Sequence, residues 1–459
     1  MKHFVGANRS QTTFMPYDLE DWLPQDHLAR FTVEIVENLD FSKIYKQYRG
    51  TGTAAYDPKM LLSLIFYGYS VGVFSSRKIE AATHDSVAFR FIAGNQHPDH
   101  DTIASFRKRF LGEVKGWFKE ILLIGKELGL VKLGNVYLDG TKIQANASKH
   151  KAMSFEYMKR VEKQLESEIE KLLAIAASTD EKETPEKMDV PAELKRREKR
   201  LEKIKEAKAL VEARASERYK LEQEAYDQKM RARKQKEDES GKKPRGRMPV
   251  EPENKPNASD QYNFTDPESR IMKTSSGFNQ CYNAQAVVNE DMLIVAGFSN
   301  EHGNDKCEFL PGLASVPTEL GQITAAVADA GYFSENNVSE LPENIVAVIA
   351  TCRETHNTYL ETALNKPAGC DQIDDGNLQI QSMTVIDQMK RRLKTPKYKA
   401  IYKKRKQTVE PVFGIIKSVL GFRQFSLRGV LNTDAEWSIV CLAYNLKRMF
   451  KMYNSLNAK

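Results

Sequence analysis

Four residues in this chain stand where their neighbours make chemistry possible. Glu410 and Lys417 lie seven apart in a stretch whose apolar positions, Val409, Val412, Phe413, Ile416 and Leu420, fall at helical spacing. A carboxylate and an ammonium therefore share another face of that helix, two turns apart. The run before them holds Lys390, Arg391, Arg392, Lys394, Lys397, Lys399, Lys403, Lys404, Arg405 and Lys406 without one acid among them. A lone carboxylate beyond such a run points to a metal-bearing phosphate site. The plainer alternative is a solvated basic helix in which Glu410 only marks a helix start beside Pro411. Two further acids end apolar, strand-like runs. Asp139 follows Val136-Tyr137-Leu138 and precedes the turn-like Gly140-Thr141, and Asp329 follows residues 323–328 and precedes Ala330-Gly331-Tyr332. Acids at the ends of central strands sit where α/β sheets place their chemistry. The alternative for each is an aspartate that stabilises a turn.

The elements that must hold these residues can be read around them. Strands are expected at 281–288 and 292–298, joined by an Asn289-Glu290-Asp291 turn, and at 345–350, ending at Thr351-Cys352-Arg353 with His356 beyond. A helix is expected near 306–313. The chain is α/β on this reading. From 149 to 260 the composition changes to mixed charge, with long helices implied at 158–175 and 192–229. Leu165, Ile169, Leu172 and Leu173, and again Leu201, Ile204 and Leu210, keep a seam at helical spacing, which predicts a helical hairpin inserted into the α/β domain. The basic loop Lys242-Lys243-Pro244-Arg245-Gly246-Arg247 could touch phosphates.

Before residue 130 the pattern is helical. A Gly50-Thr51-Gly52 turn precedes a helix opened by Asp57-Pro58, with Met60, Leu61, Leu64, Ile65 and Phe66 on its buried side. Ser75-Ser76 and Ser86 cap two short helices, and Asp101-Thr102 opens a third that carries Arg107, Lys108 and Arg109. Three short helices ending in a basic one have the outline of a helix-turn-helix DNA reader, an outline that ordinary helical domains share. His84, His97 and His100, with Asp99 and Asp101, match no zinc spacing and read as turn formers and surface polar groups.

With 459 residues the chain has length for two or three domains and a substantial core. A net charge of +7 with 29% charged residues suits a polyanionic partner. The five cysteines are scattered and never at C-x-x-C spacing, which argues against a disulfide frame or a structural zinc and fits a reducing cytoplasm. The first residues lack an apolar core of signal-peptide length, and the most apolar run, 60–74, is too short and broken to span a bilayer.

Asp139-Gly140-Thr141-Lys142, the stretch from Gly277 to Gln285, Ala328-Asp329-Ala330-Gly331-Tyr332 and the stretch from Val409 to Lys417, in this order, resemble the DDE transposases of bacterial insertion sequences. Within them the chain looks like the IS-four/IS-five superfamily, whose last acid lies in a Tyr-Arg-Glu-Lys signature. The resemblance extends over nearly the whole chain, with residues 56–110 similar to that group's amino-terminal domain. It implies a ribonuclease H-like catalytic core over 131–459, interrupted by a charged helical insertion at 149–260, and an all-α DNA-binding domain at 1–130. Asp139, Asp329 and Glu410 become the metal-binding acids, with Lys417, Arg405 and Tyr402 as the signature's partners. Four residues separate Arg405 from Glu410, one more than the signature usually shows.

Three carboxylates can hold two Mg²⁺ ions, or Mn²⁺, roughly 4 Å apart for phosphoryl transfer. Arg107, Lys108, Arg109, Lys397, Lys399, Tyr402, Lys403, Lys404 and Arg405 are the expected DNA contacts. The implied partner is double-stranded DNA, as the terminal inverted repeats of an element and as target, bound by a homodimer in the bacterial cytoplasm at the nucleoid. Two other readings remain at this point: a metal-dependent nuclease of the same core that does not join ends, and a catalytically silent DNA-binding regulator.

Overall fold

The structure is a computed structural model that describes residues 18–48, 54–178, 189–241, 246, 248–352 and 384–457. The expected turn at Gly50-Thr51-Gly52, the basic loop at 242–247 apart from Gly246, and Arg353 and His356 lie outside the described residues. Two compact units form: Met1–Gln144 with Tyr282–Lys459, and Ala145–Cys281.

The first unit begins with helices. Helix α1 (Leu28–Glu37) buries Phe31, Ile35 and Val36. Helix α2 (Pro58–Ser70) starts where the Asp57 carboxylate accepts the Lys59 N–H and proline occupies the first turn, where its missing donor costs nothing. Every residue from Leu61 to Ser70 is buried, so α2 runs through the core and not along its surface. Short helices α3 (Ser76–Asp85), α4 (Val87–Ile92) and α5 (His100–Arg109) follow. The cap of α5 is Asp99 and not Asp101, because Asp99 Oδ1 accepts the Thr102 N–H at 2.7 Å. Helix α6 (Val114–Glu127) turns Trp117, Phe118, Ile121 and Leu122 inward and leads to strand β1 (Asn135–Gln144). β1 continues past Asp139 to Gln144, so Gly140-Thr141 is extended strand and not the expected turn.

The second unit is dominated by α7 (Phe155–Ser178) and the 51-residue α8 (Val190–Ser240). Their seam joins Met158, Val161 and Leu165 to Ile204, Ala207 and Val211. The expected seam residues Leu173 and Leu210 are instead 49% and 46% exposed. The apolar stripe drifts round the helix with the 3.6-residue period, so the inward places after Ile204 fall to Ala207 and Val211. Two short strands, Ala152–Ser154 and Gln261–Asn263, pair antiparallel. Strand β2 (Arg270–Thr274) then pairs with the first residues of β3 (Gly277–Asn289). Where this unit leaves and rejoins the chain, Ala145 N–H donates to Gln280 O at 2.8 Å.

From Tyr282 onward β3 belongs to the first unit and pairs antiparallel with β4 (Ile294–Asn300). After α9 (Phe309–Ala314) come β5 (Ala325–Ala328) and β6 (Val346–Ile349). β1 lies between β3 and β5, β6 lies beyond β5, and β1, β5 and β6 run parallel. The result is an open, mixed α/β sheet.

Helices α10 (Val385–Lys394) and α11 (Pro396–Gly414) pack on β6, and α11 also packs on β1 and β5. A π-helical segment, Ile415–Val419, continues α11, and α12 (Val430–Asn457) closes the chain. Because α11 starts at Pro396, the later part of the basic run, Lys397 to Lys406, shares one helix with Glu410, and Pro411 lies deep inside it. That removes the reading of Glu410 as a helix-start residue. Helix α12 shields β4: Asn445 accepts the Ile294 N–H and donates to Ile294 O, and Asp434 accepts the Ser299 N–H at 2.8 Å. Edge backbone is satisfied by side chains instead of a further strand. No helix among the described residues is long and apolar enough to cross a membrane.

Candidate active site

Asp139 is placed by the strand that precedes it. Val136, Tyr137 and Leu138 are almost fully buried, which fixes the register of β1 against β5. Tyr137 pairs with Val327, and the same offset carried two residues on brings Asp139 level with Asp329. Asp329 follows the wholly buried β5 and caps a single 3-10 turn, its Oδ1 accepting the Gly331 N–H at 2.8 Å. Glu410 comes from α11, whose Val409, Val412 and Phe413 are buried while the carboxylate stays 46% exposed.

The three acids converge on one cation, the guanidinium of Arg405. Its Nη2 stands 3.1 Å from Asp139 Oδ2 and 3.7 Å from Asp329 Oδ2, and its Nη1 donates to Glu410 Oε1 at 3.0 Å. The extra residue between Arg405 and Glu410 thus does not take Arg405 away from the site. Burial pushes the Asp139 carboxyl up to about 6; Arg405 opposes the rise, Asp329 adds to it, the Gly140 N–H opposes it and Asp305 adds. Burial works against the charged guanidinium, but Asp139 and Asp329, then Tyr402 and Glu410, outweigh it, so the pKa of Arg405 is raised.

Among the described residues no group of three or more His, Cys, Asp or Glu side chains stands ready around one metal position. The carboxylates face the arginine. Their chemistry nevertheless suits a hard divalent cation, since such ions prefer carboxylate oxygen. The histidines near the amino terminus are surface groups, as expected: His84 and His97 stack at 3.9 Å and His100 Nδ1 meets Glu80 at 2.7 Å.

Lys417 lies in the π-helical segment, and its ammonium bonds Thr141 Oγ1 and, at 3.1 Å, Lys142 O. It ties the end of α11 to β1 just beyond Asp139. Tyr402 is half-buried and close enough to Arg405 to act on it electrostatically. Lys397, Lys399 and Lys403 are exposed on α11, whereas Lys404 donates to Glu290 Oε1 at 2.9 Å. On α5, Lys108 is exposed. Arg107 turns inward, donating to the Tyr69 hydroxyl at 3.0 Å and Phe74 O at 3.3 Å, and Arg109 donates to Gln47 O at 2.8 Å.

Asp305 carries no signal in the sequence. It follows β4 in the loop His302-Gly303-Asn304-Asp305, where no periodicity singles it out. In the fold its Oδ1 accepts from Asn283 Nδ2 and Gln285 Nε2, both at 2.7 Å, and lies 3.5 Å from Lys142 Nζ. A side chain at residue 140 would close this arrangement: a Cβ there would collide with Gln285 Nε2 and come within 2.7 Å of Asp305 Oδ1. That contact accounts for a glycine directly after Asp139.

Two family models match the chain. Residues 17–109 match one described as transposase domain (DUF772), and residues 375–450 match one described as transposase DDE domain. The first covers α1 to α5, and the second covers the span that carries Arg405, Glu410 and Lys417. No curated protein and no solved structure matches the chain.

Proposed function

The chain belongs to the DDE-type insertion-sequence transposases, enzymes that cleave and transfer DNA strands, and from that membership we propose that Asp139, Asp329 and Glu410 are its catalytic acids. The observation that carries this reading is the convergence of three carboxylates, from β1, the end of β5 and α11, on a single guanidinium. Support for a ribonuclease H-like core comes from the antiparallel β3–β4 pair beside three parallel strands, with acids on the first and second of these and on a helix after the third.

Asp139, Asp329 and Glu410 would hold Mg²⁺ or Mn²⁺, which when bound supplies activation of the attacking hydroxyl and stabilisation of the leaving oxygen. The chain's own groups prepare that chemistry. Arg405 offsets the mutual repulsion of the acids and carries a guanidinium fork suited to a phosphate. Lys417 fixes the strand that bears Asp139. Lys397, Lys399 and Lys403 offer exposed charge along one helix for the strand leading to the site. Helices before residue 130, with Lys108 exposed on α5, would bind the terminal repeats, and the active species is a homodimer on DNA. The order Tyr402, Arg405, Glu410, Lys417 supports the IS-four/IS-five group.

A cleavage and joining assay on the element's own ends tests the assignment. Asp139→Asn, Asp329→Asn and Glu410→Gln are each expected to abolish Mg²⁺-dependent cleavage while end binding survives, with losses that do not add in combination. Cleavage retained in one variant removes that residue from the site. Cleavage without joining by the wild-type protein would favour a nuclease.

A further inference from the structure

The buried amides of β3 serve an acid to which the proposed reaction assigns no role. Asn283 and Gln285 are 0% and 2% exposed, and both donate to the same oxygen of Asp305, Oδ1. Gln285 is itself held at its other end, where Oε1 accepts the buried Tyr332 hydroxyl. Asn283 Oδ1 has no hydrogen-bond partner among the described residues although it is buried beside Asp305. Orienting a carboxylate through two buried amides costs desolvation, and a surface loop aspartate needs none of it. The cradle leaves Asp305 Oδ2 for another task. That oxygen lies 3.9 Å from where a Cβ of Gly331 would be, and Asp329 Oδ1 lies 3.0 Å from the same point, so the two carboxylates flank one glycine. Around β1, four carboxylates gather against the guanidinium of Arg405 and the ammonium of Lys142, an excess of negative charge.

We propose that Asp305 is a fourth acid of the divalent-cation site, positioned by Asn283 and Gln285 and acting with Asp139 and Asp329. The proposal rests on the assignment of the three acids above. It explains why two buried amides of one strand, Asn283 and Gln285, both turn to a single carboxylate oxygen, and why Gly140 and Gly331 leave room on either side.

Binding of Mn²⁺ to the full-length protein without DNA, followed by loss of the free-ion electron paramagnetic resonance signal, separates the two ideas. Asp305→Asn keeps an oxygen for the amide donors and removes the charge. It is expected to weaken Mn²⁺ binding about 10- to 100-fold, the loss typical of a removed metal-site partner. Asp139→Asn should weaken it at least as much. Weakening in Asp139→Asn with wild-type binding in Asp305→Asn overturns the fourth acid and leaves the triad standing. Wild-type binding in Asp139→Asn, Asp329→Asn and Glu410→Gln overturns the triad reading and this proposal with it. Weakening in Asp305→Asn alone would detach Asp305 from the triad and overturn the shared site. Thermal unfolding in EDTA checks that Asp305→Asn folds; if it does not, Asp305→Glu, which keeps the charge and moves the oxygen, is expected to show the same weakening.

Discussion

Arg405 decides how the acids behave toward one another. Its side chain is 11% exposed, that of Asp139 17%, and neither has much solvent to fall back on. Removing one partner of such a pair leaves a buried charge uncompensated, so Arg405→Ala should lower stability by about 3 kcal/mol. The same change should drive the Asp139 carboxyl above about 6, since the favourable partner goes while burial and Asp329 remain. Urea unfolding and carboxyl NMR titration in EDTA measure both; an unmoved Asp139 titration would show that the ion pair has no hold on it. At this scale the places of Asp139 and Asp329 after buried strand residues and of Glu410 on a helix were legible in the sequence, because each follows or lies among residues whose pattern fixes an element, whereas Arg405 was singled out by the resemblance. Asp305 was not legible, because a loop residue acquires meaning only from the strand that faces it.

Helices α5 and α11 both carry basic residues, and they use them differently. On α11, Lys397, Lys399 and Lys403 are exposed, while Lys404 is engaged by Glu290. Replacing the first three with Gln should flatten the dependence of log affinity for DNA on log salt by up to about 2.7, at roughly 0.9 per lost duplex contact, and adding Lys404→Gln should change little more. A slope unaltered by the triple change would move the DNA path off α11. On α5, Arg107 belongs to the interior, bonded to Tyr69 and Phe74. Arg107→Ala should therefore lower the melting temperature, whereas Lys108→Ala should leave it unchanged and weaken DNA binding. Thermal unfolding and binding isotherms on the two single variants separate these roles. Helical spacing had placed Arg107 to Arg109 on one basic helix, but adjacent residues on a helix point about 100° apart, and only packing tells which points inward.

Across the whole molecule, one buried acid joins distant parts of the chain. Glu436 on α12 is fully buried, accepts the N–H groups of Ser426 and Leu427, and lies 3.5 Å from the Tyr69 hydroxyl of α2. Burial pushes its carboxyl up, against the opposing backbone donors and Arg107. A folded-state pKa above the unfolded one means that its contribution to stability is full below about 4.5 and is lost as pH rises through the folded value. Relative to Glu436→Gln, the wild type should thus lose stability as pH rises from about 4.5 toward neutrality, read by urea unfolding across that range. A constant difference between the two proteins would mean that Glu436 titrates normally. The abrupt change in charge density at 149–260 lies inside the compact unit Ala145–Cys281, whose flanking strands have ordinary composition and leave no mark in a charge profile.

The first residue of that unit is hydrogen-bonded to a residue near its end, Ala145 N–H to Gln280 O. Chain ends so close can be closed by a turn of a few residues, and loop closure grows costly only slowly with length. Exchanging the long helical hairpin for a shorter arm, a reporter domain or a plain turn at this junction is therefore expected to leave the sheet's path unchanged.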